Sequence, residues 1–145
     1  MIPVFMNVKH SPPASYGDCF RACVASLLEV DDVPHFYFDG PDADIARERL
    51  SKYLRELHSL APYVVAFPGD DLDAVLSGID HDNPGIKFML ICGIAEYGAH
   101  AIVCGDGRVL HDPFYWPVMH DYEPIEGVWT ILLFVPAVMY SGETS

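Results

Sequence analysis

Residues 16–28 read Tyr16-Gly17-Asp18-Cys19-Phe20-Arg21-Ala22-Cys23-Val24-Ala25-Ser26-Leu27-Leu28. Gly17 permits a tight turn, which enters an apolar helix. Asp18 suits the N-cap of that helix. Phe20, Cys23, Val24, Leu27 and Leu28 recur at helical spacing and predict a helix over 19–29 with a broad buried face. Cys19 then falls in the first turn. There, unpaired backbone N–H groups and the positive end of the helix dipole favour a thiolate. A thiol so placed is a candidate nucleophile.

Upstream, residues 1–17 read as an extended arm with a turn at Pro12-Pro13. Downstream, Val33-Pro34-His35-Phe36 ends the first unit, with His35 placed to cap or pack under the helix–loop junction. An amphipathic pattern over 44–59 carries Ile45, Leu50, Tyr53, Leu54 and Leu57 among alternating charges and predicts a second helix. Residues 63–67 form a short strand pattern. Residues 70–76 open with acid and read as a short helix. From residue 86 the character changes: 86–94, 99–104, 108–111 and 128–135 all read as strands. Helices first and strands afterwards predict an α+β fold with an antiparallel sheet, in one domain spanning residues 1–145.

A cysteine nucleophile needs a base and a group that orients the base. One hairpin offers both: Gly98-Ala99-His100-Ala101-Ile102-Val103-Cys104-Gly105-Asp106-Gly107-Arg108-Val109-Leu110-His111-Asp112-Pro113. Gly105-Asp106-Gly107 is a strong turn signal. Folded about Asp106, the chain sets His100 opposite Asp112. A two-residue turn shifts that register by one and requires a bulge to restore the facing. With both side chains on one face, the carboxylate can bind an imidazole N–H, fix its tautomer and favour an imidazolium beside a thiolate. Ala101, Val103 and His111 then point the other way. In this reading Cys19 attacks a carbonyl carbon, His100 moves the proton and Asp112 orients His100. The Cys19 backbone N–H helps to bind the oxyanion.

The same segments, residues 17–28, 33–36, 99–103 and 109–113, resemble the small papain-like cysteine peptidases. Within these the match is to the peptidase C39-like group of short bacterial and bacteriophage proteins, over roughly residues 8 to 114. The resemblance implies a papain-like α+β fold, with the Cys at the start of a long N-terminal helix and the His and Asp on the sheet. It implies Cys19, His100 and Asp112 as the catalytic set, with no cofactor and no metal. Papain-like enzymes usually place a Gln a few residues before the Cys as oxyanion donor. Here Lys9-His10-Ser11-Pro12-Pro13-Ala14-Ser15-Tyr16 holds none. His10 is the candidate substitute, with Ser15 and Tyr16 as alternatives. The implied activity is thiol-dependent hydrolysis of a peptide, isopeptide or other amide bond. The alternatives are acyl transfer to an amine and a catalytically weak binding or inhibitory module.

Composition narrows the partners. The 145 residues carry a net charge of −13, which repels phosphate backbones and excludes nucleic acid as a natural partner. Such a surface could attract a basic peptide or protein, so a peptide or protein substrate is expected. Met1 to Met6 is apolar but short and lacks the flanks of a signal peptide. Residues 128–140 fall short of a membrane span, so the chain reads as soluble and cytoplasmic, with four free thiols. A zinc site at Cys19, Cys23 and a His is the rival use of the same atoms, although no second close pair exists. Asp39, Asp42 and Asp44 lack a full calcium-loop pattern and read as an exposed acidic loop. Phe114, Tyr115, Trp116 and Trp129 read either as core or as the wall of a groove. His58, His81 and His120 have no partner signature.

Overall fold

The apolar stripe after Asp18 forms α1 (Cys19–Leu28) in the computed structural model, which describes residues 1–95, 98–114 and 121–137. The helix stops one residue before the expected end, because Glu29 turns into the left-handed region at φ 60°. Second comes α2 (Ala43–His58). Its N-cap is Asp42, whose carboxylate accepts the N–H groups of Asp44 and Ile45, so the acidic loop is partly capping machinery. A short helix was expected over 70–76; α3 (Leu72–Asp82) is longer. It continues past Gly78 because Leu72, Val75, Leu76 and Ile79 keep one apolar stripe against the sheet.

The strands are β1 (Leu60–Pro68), β2 (Phe88–Ile94), β3 (Gly98–Gly105), β4 (Arg108–His111), β5 (Tyr122–Glu123) and β6 (Val128–Pro136). They form one antiparallel sheet in the order β1-β6-β2-β3-β4, with the short β5 paired to the end of β2. The chain is therefore α+β, with helices on both faces of the sheet.

Alternation along the strands sorts the core. Met89, Ala101, Val103 and Leu132 face α1 and α2, where they meet Val24, Phe36, Leu50 and Leu54. Leu90, Ile102, Cys104 and Ile131 face α3. Burying a leucine such as Leu50 or Leu54, each fully enclosed, contributes roughly 1.5–3 kcal/mol. Trp129 belongs to the α3 side, wholly buried, with its indole N–H donating to Gly69 O at 3.0 Å. Of the two readings offered for Trp129, core is the observed one. Tyr115, Trp116 and His120 lie outside the described residues. No described helix is long and apolar enough to cross a membrane.

One expectation at the helix start is corrected. Asp18 occupies the N-cap position, but its side chain caps nothing. It turns into the protein, 1 % exposed, and accepts the backbone N–H groups of Asn7 and Val8. Arg21, also buried, donates to it through Nε at 2.9 Å and reaches Phe5 O with its other arm. The N-terminal arm is thereby pulled along the start of α1. Farther back along the arm, Val4 N–H donates to Ser26 Oγ, while His111 donates to Val4 O at 2.7 Å. Met6 N–H donates to Pro113 O at 2.7 Å. The arm thus ties the helix that bears Cys19 to the strand end that bears Asp112.

Asp18→Ala strands a buried guanidinium and two backbone N–H groups. The expected loss is about 3–5 kcal/mol of stability by urea unfolding. Combining it with Arg21→Met recovers a large share of that loss, because the unpaired charge is then gone.

Candidate active site

Strand β3 brings His100 to the sheet end where α1 begins. Cys19, Phe20, Gly98, Ala99 and His100 line one cleft of about 480 Å³. The imidazole is 5 % exposed, and the Cys19 thiol is half-buried. His100 Nε2–H donates to Asp112 Oδ1 at 2.7 Å. Cys19 lines the same cleft, close enough to the ring to raise its pKa. Sulfur, imidazole and carboxylate therefore gather at one end of the cleft.

The hairpin reaches this arrangement by the second of the two registers considered. Asp106 and Gly107 form a two-residue turn with φ of 55° and 73°, so Gly105 pairs with Arg108. Continued without interruption, that register would turn Asp112 away from His100. A bulge corrects it: Cys104 pairs with Val109, but Val103 pairs with His111, and Leu110 is the extra residue. Asp112 then shares the face of Ile102 and His100, diagonal to His100 instead of directly opposite. His111 points the other way, as alternation requires, and is buried against the N-terminal arm.

Two further groups grip Asp112. Phe114 N–H donates to Oδ1 at 3.0 Å, and the Tyr122 hydroxyl donates to Oδ2 at 2.7 Å. Burial, followed by the adjoining carboxylate, raises the Tyr122 phenol well above its ordinary pKa, so it stays protonated and keeps donating. Sequence reasoning missed Tyr122. It sits in a two-residue strand, too short for a periodicity signal, that pairs Ile94. Phe114 packs edge-on against the His100 ring at 6.1 Å and walls the cleft.

Burial alone would depress the His100 pKa. The hydrogen bond to Asp112, then the nearby Cys19 side chain, outweigh it and hold the imidazole at about 9. The ring is therefore an imidazolium at neutral pH. The other three thiols differ sharply from Cys19. Cys23, Cys92 and Cys104 are fully buried, and desolvation pushes each upward, Cys92 to about 12. Cys23 points into the core, and no group of three His, Cys, Asp or Glu side chains among the described residues is arranged to hold a metal.

His10 lies on the cleft wall. Gly17 N–H donates to its Nδ1 at 3.0 Å, which leaves the ring proton on Nε2. Gly17 is closely packed here: a Cβ would stand 2.9 Å from Met6 Cε and 3.0 Å from His10 Cβ, so both would have to shift. Ser15 is committed elsewhere, donating to Lys9 O at 2.6 Å. Tyr16 also lines the cleft, and its carbonyl accepts from His35 Nε2 at 2.7 Å, which ties the loop before Cys19 to the loop after α1. Because Asp18 does not cap α1, its side chain leaves the first backbone N–H groups beside the sulfur uncovered. Neither family models nor characterised proteins nor solved structures provide a match to this chain.

Folding raises the His100 pKa from its ordinary value of 6.5 to about 9, so the folded state binds this proton more tightly. The associated stability is fully present below pH 6.5 and is lost as pH rises through about 9. Urea unfolding midpoints are expected to fall across that window. Asp112→Asn, which removes the charge that holds the proton, is expected to flatten the slope.

Proposed function

We propose that this protein is a thiol-dependent hydrolase of the papain-like kind, cleaving a peptide, isopeptide or other amide bond. One observation carries the reading: a half-buried thiol shares a cleft with an imidazole that a multiply bonded carboxylate holds from behind. A structural cysteine needs no such partner. The other three thiols are buried in the core, and none of them lines the cleft among the described residues. The helix-borne Cys and sheet-borne His and Asp also follow the arrangement that the motif resemblance implies.

In this mechanism the pair rests as thiolate and imidazolium. Cys19 Sγ attacks the carbonyl carbon, and the developing oxyanion meets the uncapped N–H groups at the start of α1. His10 Nε2–H is the side-chain donor that replaces the usual Gln. Collapse breaks the C–N bond, and the amine leaves with the proton of His100. A water then attacks the acyl-enzyme and gives its proton to the now neutral imidazole. The acid departs, and thiolate and imidazolium are restored. Asp112 stays ionised throughout and keeps the ring in one orientation.

A second reading, a weak binding module on the same fold, draws on the oxyanion hole. No amide side chain lines the cleft among the described residues, and losing one oxyanion donor typically costs on the order of 10²–10³ in rate. Transfer of the acyl group to an amine is the third possibility, and added amines would reveal it by capturing the acyl group.

Iodoacetamide distinguishes a paired thiol from an ordinary one. At neutral pH the native protein is expected to be alkylated at Cys19 while Cys23, Cys92 and Cys104 remain unmodified. His100→Ala is expected to slow that alkylation roughly tenfold or more. Equal rates in the two proteins would reject the catalytic reading. Amide hydrolysis is expected to fall as pH rises through about 9, where the leaving group loses its acid. Alkylation, which needs no acid, is expected to persist there.

A further inference from the structure

The cleft differs in charge from the chain as a whole. Acidic side chains outnumber basic ones by 21 to 8. Yet among the described residues lining the cleft beside Cys19 there is no carboxylate. The cationic side chains there are Arg47 and the imidazolium of His100, and the latter is already offset by Asp112 and the Cys19 sulfur; His10 lies on the same wall.

Arg47 stands on the solvent side of α2, exposed, and makes no ion pair among the described residues. Its neighbour Arg49 is fully engaged: it binds the Asp39 carboxylate at 2.8 and 2.9 Å and stacks over the Phe38 ring at 4.7 Å. Arg47 instead acts on the cleft. Burial raises the pKa of the Tyr37 phenol, Arg47 lowers it, and Cys19 and then Asp42 raise it to a smaller extent. Tyr37 packs edge-on against Phe20, the residue after the thiol, at 5.4 Å. Arg47, Tyr37 and Cys19 thus follow one wall. The rest of the cleft is largely apolar, with Ile91, Ile94, Phe114 and Leu132.

An unpaired guanidinium at the mouth of an apolar cleft suits a carboxylate, whose two oxygens match its planar fork. The net charge of −13 favours a basic partner for the surface as a whole. In the cleft, however, the nearest charges dominate, since exposed charges beyond about 8–10 Å are largely screened. We propose that the substrate of Cys19 is an acidic peptide: an apolar side chain fills the cleft and a neighbouring carboxylate pairs with Arg47. This proposal rests on the thiol-hydrolase reading and names its substrate class.

The test uses peptidyl chloromethyl ketones that share one apolar residue and differ at the next position, as Glu, Gln or Lys. A fourth probe combines Gln with an N-succinyl group, which moves the carboxylate from a side chain to the chain end. Labelling of Cys19 is followed by intact mass. Rates are taken as ratios within each protein, so that thiol reactivity cancels. The wild-type chain is expected to favour a carboxylate probe over the Lys probe by about fivefold. Whichever carboxylate probe is preferred identifies its source. Arg47→Glu is expected to reverse the preference. Lys52→Glu, the same charge change on the same helix away from the cleft, is expected to keep it. Equal rates on the wild type, a preference that survives Arg47→Glu, or a reversal in Lys52→Glu would overturn the proposal. The hydrolase reading is checked separately by iodoacetamide. If that alkylation does not depend on His100, the thiol reading fails whatever the peptide ratios show.

Discussion

The Asp18 carboxylate holds the site together without taking part in it. Two backbone N–H groups of the N-terminal arm and the Arg21 guanidinium converge on it in a dry environment. A buried charge is tolerated only when it is fully paired, so this cluster has one workable geometry. That geometry sets the path of the arm. The arm in turn bonds Pro113, the residue after Asp112. The helix that carries the sulfur and the strand that carries the carboxylate are far apart in sequence, and the arm is the strap between them. Because Asp18 bonds the arm, the start of the helix is left uncapped, and its N–H groups remain beside the sulfur.

Much of this was legible in the residues. The stripe after Cys19 and the Asp-Gly turn are local signals, governed by helical spacing and by the need for positive φ. Both lie where they were expected, and so do the strands of the second half to within a few residues. The hairpin as the source of His100 and Asp112 was legible from its turn, but their facing rests on a bulge that parity alone does not supply. The destination of Asp18 was not. Its residue type suits a cap, and only the arrival of Asn7 and Val8 makes the inward rotamer the better one. Tyr122 was illegible for the same reason: its role depends on a tertiary contact that no local pattern encodes. Which of the two hairpin registers holds was also undecidable from the strand alone, because the bulge forms at Leu110, an ordinary strand residue.

The four cysteines show how little composition says about reactivity. All are free thiols, and Cys19 and Cys23 are separated by one helical turn. The start of α1 meets the cleft, whereas one turn later the helix is sealed against Ala101 and Val103. Desolvation suppresses ionisation at Cys23, Cys92 and Cys104. Arg47 teaches a similar lesson about charge. A strongly acidic chain can still place an unpaired guanidinium at its cleft, because the groups closest to a bound ligand outweigh the distant majority.

The extra residue at Leu110 bears on how the distance between His100 and Asp112 is to be read in other sequences. One residue of that stretch is absorbed by the bulge and adds nothing to the span between the two side chains. A chain lacking that residue would pair the same partners through an unbroken ladder and present its carboxylate to the imidazole on the same face. The loss of one residue here is thus buffered. A fixed gap length is a poor criterion for distant kinship, and the tolerant measure is which side of the sheet each residue occupies.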